Sequence, residues 1–194
     1  AASSGLTVQI GGGTNDYAGA TIDVDLADAT GSSDSITIDL KNTTTSSGAT
    51  VDTAGIETVN IVATAGAGSS AVLAASIAGT VTAGTVNVSG TDADDEVTLE
   101  AVSAGYTTIT ATNLAGDLVV AASARGADAM TITGGAGADT IAMENASDVL
   151  TGGAGTVSDE IVVNFTGTGG ATVIDLSSTT DQITLFNGVA NSAA

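Results

Sequence analysis

The chain has 194 residues, of which Ala, Thr, Gly and Ser supply 35, 32, 26 and 18, against two Phe, two Tyr and no Trp. A bulky aromatic core is excluded, so stability has to come from many thin repeated layers of Val, Ile, Leu and Ala. Zero Cys and zero His remove disulfides, thiolate and imidazole metal sites and the usual general base, while a formal charge of −20 against only Lys41 and Arg125 makes nucleic acid and anionic membrane surfaces poor partners.

A hydrophobic fraction of 43% is too high for disorder. Thr and Gly are poor helix residues, so strands are expected instead. No apolar run reaches the roughly 18 residues of a membrane span, so no direct membrane insertion is expected, and no basic-then-apolar leader opens the chain. The sequence starts Ala1-Ala2-Ser3-Ser4 without Met, as a processed product or a segment of a longer protein would.

Taken in order, short alternating runs predict strands at Leu6 to Ile10, Thr21 to Leu26, Ser35 to Leu40, Glu57 to Val62, Thr85 to Val88, Glu96 to Val102, Tyr106 to Thr110 and Asp117 to Ala121. Later runs cover Glu160 to Phe165, Ala171 to Leu176 and Gln182 to Phe186. More than ten strands in so short a chain imply stacking or sandwiching. The fold class expected is all-β: parallel stacked strands in a β-roll or β-solenoid, with an irregular sandwich portion as the alternative for part of the chain. With no Pro anywhere, every strand residue can donate to a ladder.

One local grammar recurs: an acid, one variable residue, then an aliphatic that opens a strand. It occurs at Asp34-Ser35-Ile36, Glu57-Thr58-Val59, Asp95-Glu96-Val97, Asp139-Thr140-Ile141, Asp148-Val149-Leu150, Asp159-Glu160-Ile161 and Asp181-Gln182-Ile183. A single copy reads as an aspartate ending a turn. Seven copies argue for a shared role.

The sharpest motif is Gly134-Gly135-Ala136-Gly137-Ala138-Asp139-Thr140-Ile141-Ala142, which matches the nonapeptide G-G-x-G-x-D-x-U-x at every fixed position. Its glycines permit a tight turn, its Asp supplies a carboxylate, and its aliphatic plugs a core of parallel strands. Oxygen-only ligands suit a hard cation, and calcium (Ca2+) is the one expected. Asp148 follows Asp139 after nine residues, in a repeat that has lost its glycines. Gly152-Gly153-Ala154-Gly155 begins 18 residues after Gly134, and its acid, Asp159, arrives after the two-residue insertion Val157-Ser158. If each nonapeptide makes half a turn, the two glycine loops stack on one edge. Asp139 and Asp159 then share a cage with carbonyls of Gly134, Gly135, Gly137, Gly152, Gly153 and Gly155, while Asp128 and Asp148 face the opposite edge. Arg125-Gly126-Ala127-Asp128 is a half-preserved copy.

On these nonapeptides the sequence resembles the RTX family of secreted calcium-binding repeats. Adding Ala54-Gly55-Ile56-Glu57-Thr58-Val59-Asn60-Ile61 and the Thr/Ala/Gly/Ser-rich strands around it, the region from about residue 30 onward looks like an RTX-type bacterial S-layer protein. That resemblance implies type I secretion, folding outside the cell on meeting calcium, localisation at the cell surface and assembly with copies of itself into a crystalline coat. It further implies a structural rather than enzymatic role, with anchoring to a cell-surface glycan through another part of the protein. The expected organisation is a strand-rich irregular region at 1–122, a calcium roll at 123–165 and terminal strands at 166–194 completing the same domain. The alternative is the RTX-type calcium module of a secreted adhesin or exported enzyme.

Asp92-Ala93-Asp94-Asp95-Glu96 reads as a solvated loop or a second calcium site, and Gly11 to Asp16 and Gly31 to Asp34 are weaker glycine-acid loops that read first as solvated turns. Gly66-Ala67-Gly68 lacks the G-K-[ST] of a phosphate loop.

Overall fold

The structure, a computed structural model, describes residues 5–11, 20–24, 26, 31–41, 46–64, 72–121, 129–143, 145, 147–164, 173–176 and 178–186. Among the described residues the chain is all-β and contains no helix, so no helix is long and apolar enough to cross a membrane.

Strands alternate between two sheets. The first sheet holds β1 (Leu6–Gly11), β3 (Ser35–Lys41), β5 (Thr58–Thr64) and β7 (Gly84–Gly90), followed by β9 (Tyr106–Leu114), β11 (Thr131–Thr133), β13 (Val149–Thr151) and β15 (Val173–Asp175). The second holds β2 (Thr21–Asp23), β4 (Ser46–Asp52), β6 (Val72–Ala78) and β8 (Glu96–Val102), followed by β10 (Asp117–Val120), β12 (Thr140–Met143), β14 (Glu160–Asn164) and β16 (Gln182–Phe186). Each sheet therefore has eight strands in simple odd or even order, and every described pairing is parallel. This is a β-solenoid: each coil lays one strand in each sheet and stacks on the coil before it. No antiparallel sandwich portion occurs among the described residues. The pairings β9 with β11 and β10 with β12 carry both sheets across residues 122/123, and β13 with β15 and β14 with β16 carry them across 165/166.

The alternation seen in the sequence has a direct outcome in packing, because successive strand side chains point to opposite faces. In β3 and β5 every second residue is buried. In-register pairing then stacks the aliphatics into columns. Ile36, Val59, Val86, Ile109, Ile132 and Leu150 form one column in the first sheet, each no more than 1% exposed. Leu99, Val120, Ile141, Ile161 and Ile183 form its counterpart in the second sheet. Such a core is built from columns of branched aliphatics and needs few aromatics.

Three strands escape the alternation rule. β4 reads Ser-Ser-Gly-Ala-Thr-Val-Asp, β6 reads Val-Leu-Ala-Ala-Ser-Ile-Ala, and β11 has only three residues. Their sequences are too polar, too Ala-rich or too short to mark a strand locally; pairing with neighbouring coils imposes it. β4 and β6 also carry register shifts, between Ser46 and Ala49 and, on the β6–β8 pair, between Ala75 and Ser76. The predicted Thr21 to Leu26 run ends early, at Asp23, although Val24 still donates its N–H to the Asp52 carbonyl at 3.0 Å.

Candidate functional site

All seven acids of the acid-x-aliphatic grammar stand immediately before a strand: β3, β5, β8, β12, β13, β14 and β16. Asp34, Asp95, Asp139, Asp148 and Asp159 are buried, at 0%, 1%, 1%, 0% and 2% exposed. Carboxyl groups so placed require hydrogen bonds.

For Asp139, Asp148 and Asp159, and likewise for Glu57 and Asp181, the partners include backbone amides of the preceding coil. Asp159 Oδ1 accepts the N–H of Asp139 at 2.9 Å, while Glu160, next in sequence, donates its own N–H to the Asp139 carbonyl at 2.8 Å. Both backbone groups of Asp139 are thus satisfied by two adjacent residues of the following coil. Asp181 and Gln182 do the same to Asp159, at 3.1 and 2.8 Å. Asp148 and Val149 do it to Met130, at 2.9 Å each. Glu57 and Thr58 do it to Asp34, at 2.8 and 3.0 Å. At a coil corner the chain turns away from the ladder and its N–H loses a carbonyl partner. The carboxylate one coil on replaces it.

The second carboxylate oxygen serves the acid's own turn. Asp139 Oδ2 accepts the Gly135 N–H at 2.6 Å and its Oδ1 the Leu118 N–H at 2.7 Å. Asp148 Oδ2 accepts from Asn145 at 3.0 Å and Asp181 Oδ2 from Ser178 at 2.7 Å. This explains the first glycine of the nonapeptide. A Cβ on Gly134 would lie 2.2 Å from Asp139 Oδ2, and one on Gly152 would lie 2.3 Å from Asp159 Oδ2. The insertion Val157-Ser158 leaves Asp159 on its glycine, since Val157 is 47% exposed and the extra length bulges outward.

The two glycine loops lie directly on one another. Ala154 donates its N–H to the Gly135 carbonyl at 3.1 Å, and Gly134 donates to the Thr151 carbonyl at 2.9 Å. Cβ atoms on Gly153 and Gly155 would come within 2.2 and 2.4 Å of the Gly135 and Ala136 carbonyl oxygens, and one on Gly137 within 2.4 Å of Gly116. Only glycine permits this backbone-to-backbone approach, and Gly153, at φ 120°, also needs it for its conformation. Asp139 and Asp159 stand at the starts of the adjacent strands β12 and β14; Asp148 precedes β13, in the other sheet. Asp128 lies outside the described residues, as do Arg125 and residues 12–16.

Burial drives the Asp139 carboxyl up to about 7, against the pull of the Leu118 and Gly135 amides, with the Asp159 and Asp117 charges adding to the rise. Asp159 is raised by burial too, opposed by the Asp139 amide and assisted by Asp181 and Asp117. Burial first, and like charges one coil apart second, make this edge costly to ionise.

Against calcium the edge fits in one respect and not in another. Its donors are carboxylates and backbone carbonyls, the hard oxygen chemistry calcium takes. Yet among the described residues no three acids converge on a point, and the Asp139 and Asp159 carboxylates and the Gly135 carbonyl already accept backbone amides. Calcium at Asp139 would compete with the amides of Leu118 and Gly135 for the same oxygens.

Two surface depressions flank the loop at residues 80–83. One, of about 570 Å³, is bordered by Gly31, Ser32, Thr58 and Thr85 and has Glu57 as its one ionisable lining residue; the other, of about 460 Å³, has none. Comparison with protein-family models, with curated proteins and with solved structures finds no match.

Proposed function

We propose that this chain is a structural subunit of a bacterial surface layer, secreted and assembled with copies of itself at the cell surface, in which calcium promotes folding and assembly. The observation that carries the reading is the coil itself: a parallel stack in which the buried Asp139, Asp148 and Asp159 are spent on the chain's own backbone. Such a body offers long regular faces, which suit a scaffold. Support for calcium comes from the complete nonapeptide at 134–142, its oxygen donors, and a charge of −20 that a divalent cation would screen. The same nonapeptide also suits the calcium module of a secreted adhesin or exported enzyme, which would remain monomeric. The partners are other copies, together with a cell-surface glycan engaged through another part of the protein.

Calcium titration of the purified protein, followed by melting, light scattering and electron microscopy, tests this. The reading expects a calcium-raised melting temperature and periodic sheets, both reduced in Asp139→Ala. A monomer that calcium stabilises without assembly favours the module; a protein indifferent to calcium by every readout sinks both.

A further inference from the structure

The two outer faces of the solenoid carry different chemistry. On the second sheet the outward positions include Asp52, Glu96, Glu100, Asp117 and Glu160. On the first, strands β3, β5, β7, β9, β11 and β13 contain one acid and one base, Asp39 and Lys41, which pair with each other at 3.3 Å. Across these six strands the face of the first sheet is electrically neutral in a molecule of charge −20, and the next strand, β15, brings Asp175 into register after Thr151.

That face is an ordered array. Ser35, Thr58, Thr85, Thr108 and Thr131 pair in register as one row across five coils. Thr37, Asn60, Asn87, Thr110, Thr133 and Thr151 form the next row, two residues further along each strand. Neighbours stand about 4.8 Å apart across the strands and about 6.7 Å apart along them. Asn87 Nδ2 donates to Asn60 Oδ1 at 3.0 Å, and Asn60 Nδ2 to the Ile36 carbonyl at 3.3 Å, so the central amides are already oriented. Threonine is β-branched and stiff at χ1, so little rotamer freedom remains to be lost on contact.

We infer that this Thr/Asn face is the contact between two copies of the chain, packed face to face about a twofold axis. The inference rests on the proposed self-assembling role and names its surface. Charge decides the occupant, because acidic faces brought together repel, whereas the neutral face can be buried against itself without an unpaired charge. Chemistry points the same way. A hydroxyl both donates and accepts, and an amide carries both groups, so such a face is complementary to its own copy in a way an all-acceptor carboxylate face is not. Three strands of seven residues, one of nine and two of three give a patch on the order of 600 Å², below the roughly 800 Å² per partner of a standard stable interface. The contact is weak in solution and becomes effective when repeated in a lattice.

Sedimentation velocity on the whole chain, from micromolar to millimolar protein with and without calcium, reads the association. Thr108→Asp combined with Thr133→Asp should weaken the dimer at least tenfold, while Thr98→Asp combined with Thr140→Asp, on the opposite outer face, should change it less than twofold. Circular dichroism melts confirm that each variant folds. Should the first pair fail to fold, Thr110→Cys in this cysteine-free chain should give a dimer with a short bismaleimide and Thr98→Cys should not. Equal effects from both faces, or cross-linking through Thr98→Cys alone, overturn the face and leave surface-layer assembly standing. A wild type monomeric at every concentration, with or without calcium, overturns both, including the case in which the Thr/Asn face is found to hold a neutral polysaccharide.

Discussion

Asp159 holds Asp139 by the backbone: its carboxylate accepts the Asp139 N–H at 2.9 Å, while the adjacent Glu160 N–H reaches the Asp139 carbonyl at 2.8 Å. Removing the carboxylate leaves a buried amide without its acceptor. Asp159→Ala should therefore cost about 1–3 kcal/mol in buffer containing a calcium chelator, and Asp148→Ala, which strips Met130 and Asn145 of their acceptor, should cost as much. Chemical denaturation with EDTA present measures this. A loss seen only in calcium would assign these acids to the metal instead of the coil corner.

The raised carboxyl of Asp139 gives a pH dependence of definite sign. Its folded pKa is about 7, against about 3.9 for an unfolded Asp, so between those values the folded chain binds more protons. Stability from this group is present below about pH 4 and is lost as pH rises to about 7. Asp139→Asn, which cannot ionise, should flatten that slope. Urea midpoints at several pH values between 4 and 8 check it.

Ile141 and Ile183 occupy the same place in the acid-x-aliphatic grammar and the same column of the second sheet, yet Ile141 is 0% exposed and Ile183 is 45% exposed. Ile141→Ala should cost about 2–5 kcal/mol, as buried aliphatic truncations do. Ile183→Ala should cost less than about 1 kcal/mol, because roughly half of its surface already meets water. Thermal melts of the two variants separate them.

Gly84 makes room for Tyr106. A Cβ on Gly84 would come within 2.6 Å of the Tyr106 ring, and Tyr106 is 1% exposed, with its hydroxyl 2.7 Å from the Ile56 carbonyl and 2.8 Å from the Thr53 hydroxyl. Gly84→Ala should destabilise by about 1–3 kcal/mol through overpacking. Tyr106→Phe keeps the ring but leaves buried polar atoms short of a partner, for a similar loss. If the collision is the cause, Gly84→Ala should lose much of its penalty when Tyr106 is replaced by Leu; a double-mutant cycle in urea reads that coupling.

Much of the fold was legible locally. Alternation located β1, β3, β5 and the other strands whose side chains divide into a buried and an exposed set, because a strand's period of two is written residue by residue. The acid-x-aliphatic grammar also marked the starts of β12 and β13, which are too short to show alternation. β4, β6 and β11 were not legible, since their strand state comes from hydrogen bonds to coils some 20 or more residues away. At the candidate site the glycine and acid positions could be read, and so could the stacking of the two glycine loops. What the acids bind could not, because an Asp that accepts amides and an Asp reserved for a cation have the same spelling.

The sequence by itself determined that the chain is a stack of small-residue strands, because composition and period leave no other way to bury so little side chain per residue. It also supplied the seven acids and placed each at a strand start. Only the tertiary structure decided that Glu57, Asp139, Asp148, Asp159 and Asp181 look back one coil to a main-chain amide, and that Ser35, Thr58, Thr85, Thr108 and Thr131, spread over nearly a hundred residues, form one neutral row. Both depend on register between coils. Coil lengths vary here, through the Val157-Ser158 insertion and the shifts at β4, β6 and β9, so register is settled by the summed packing of the columns and not by any one segment.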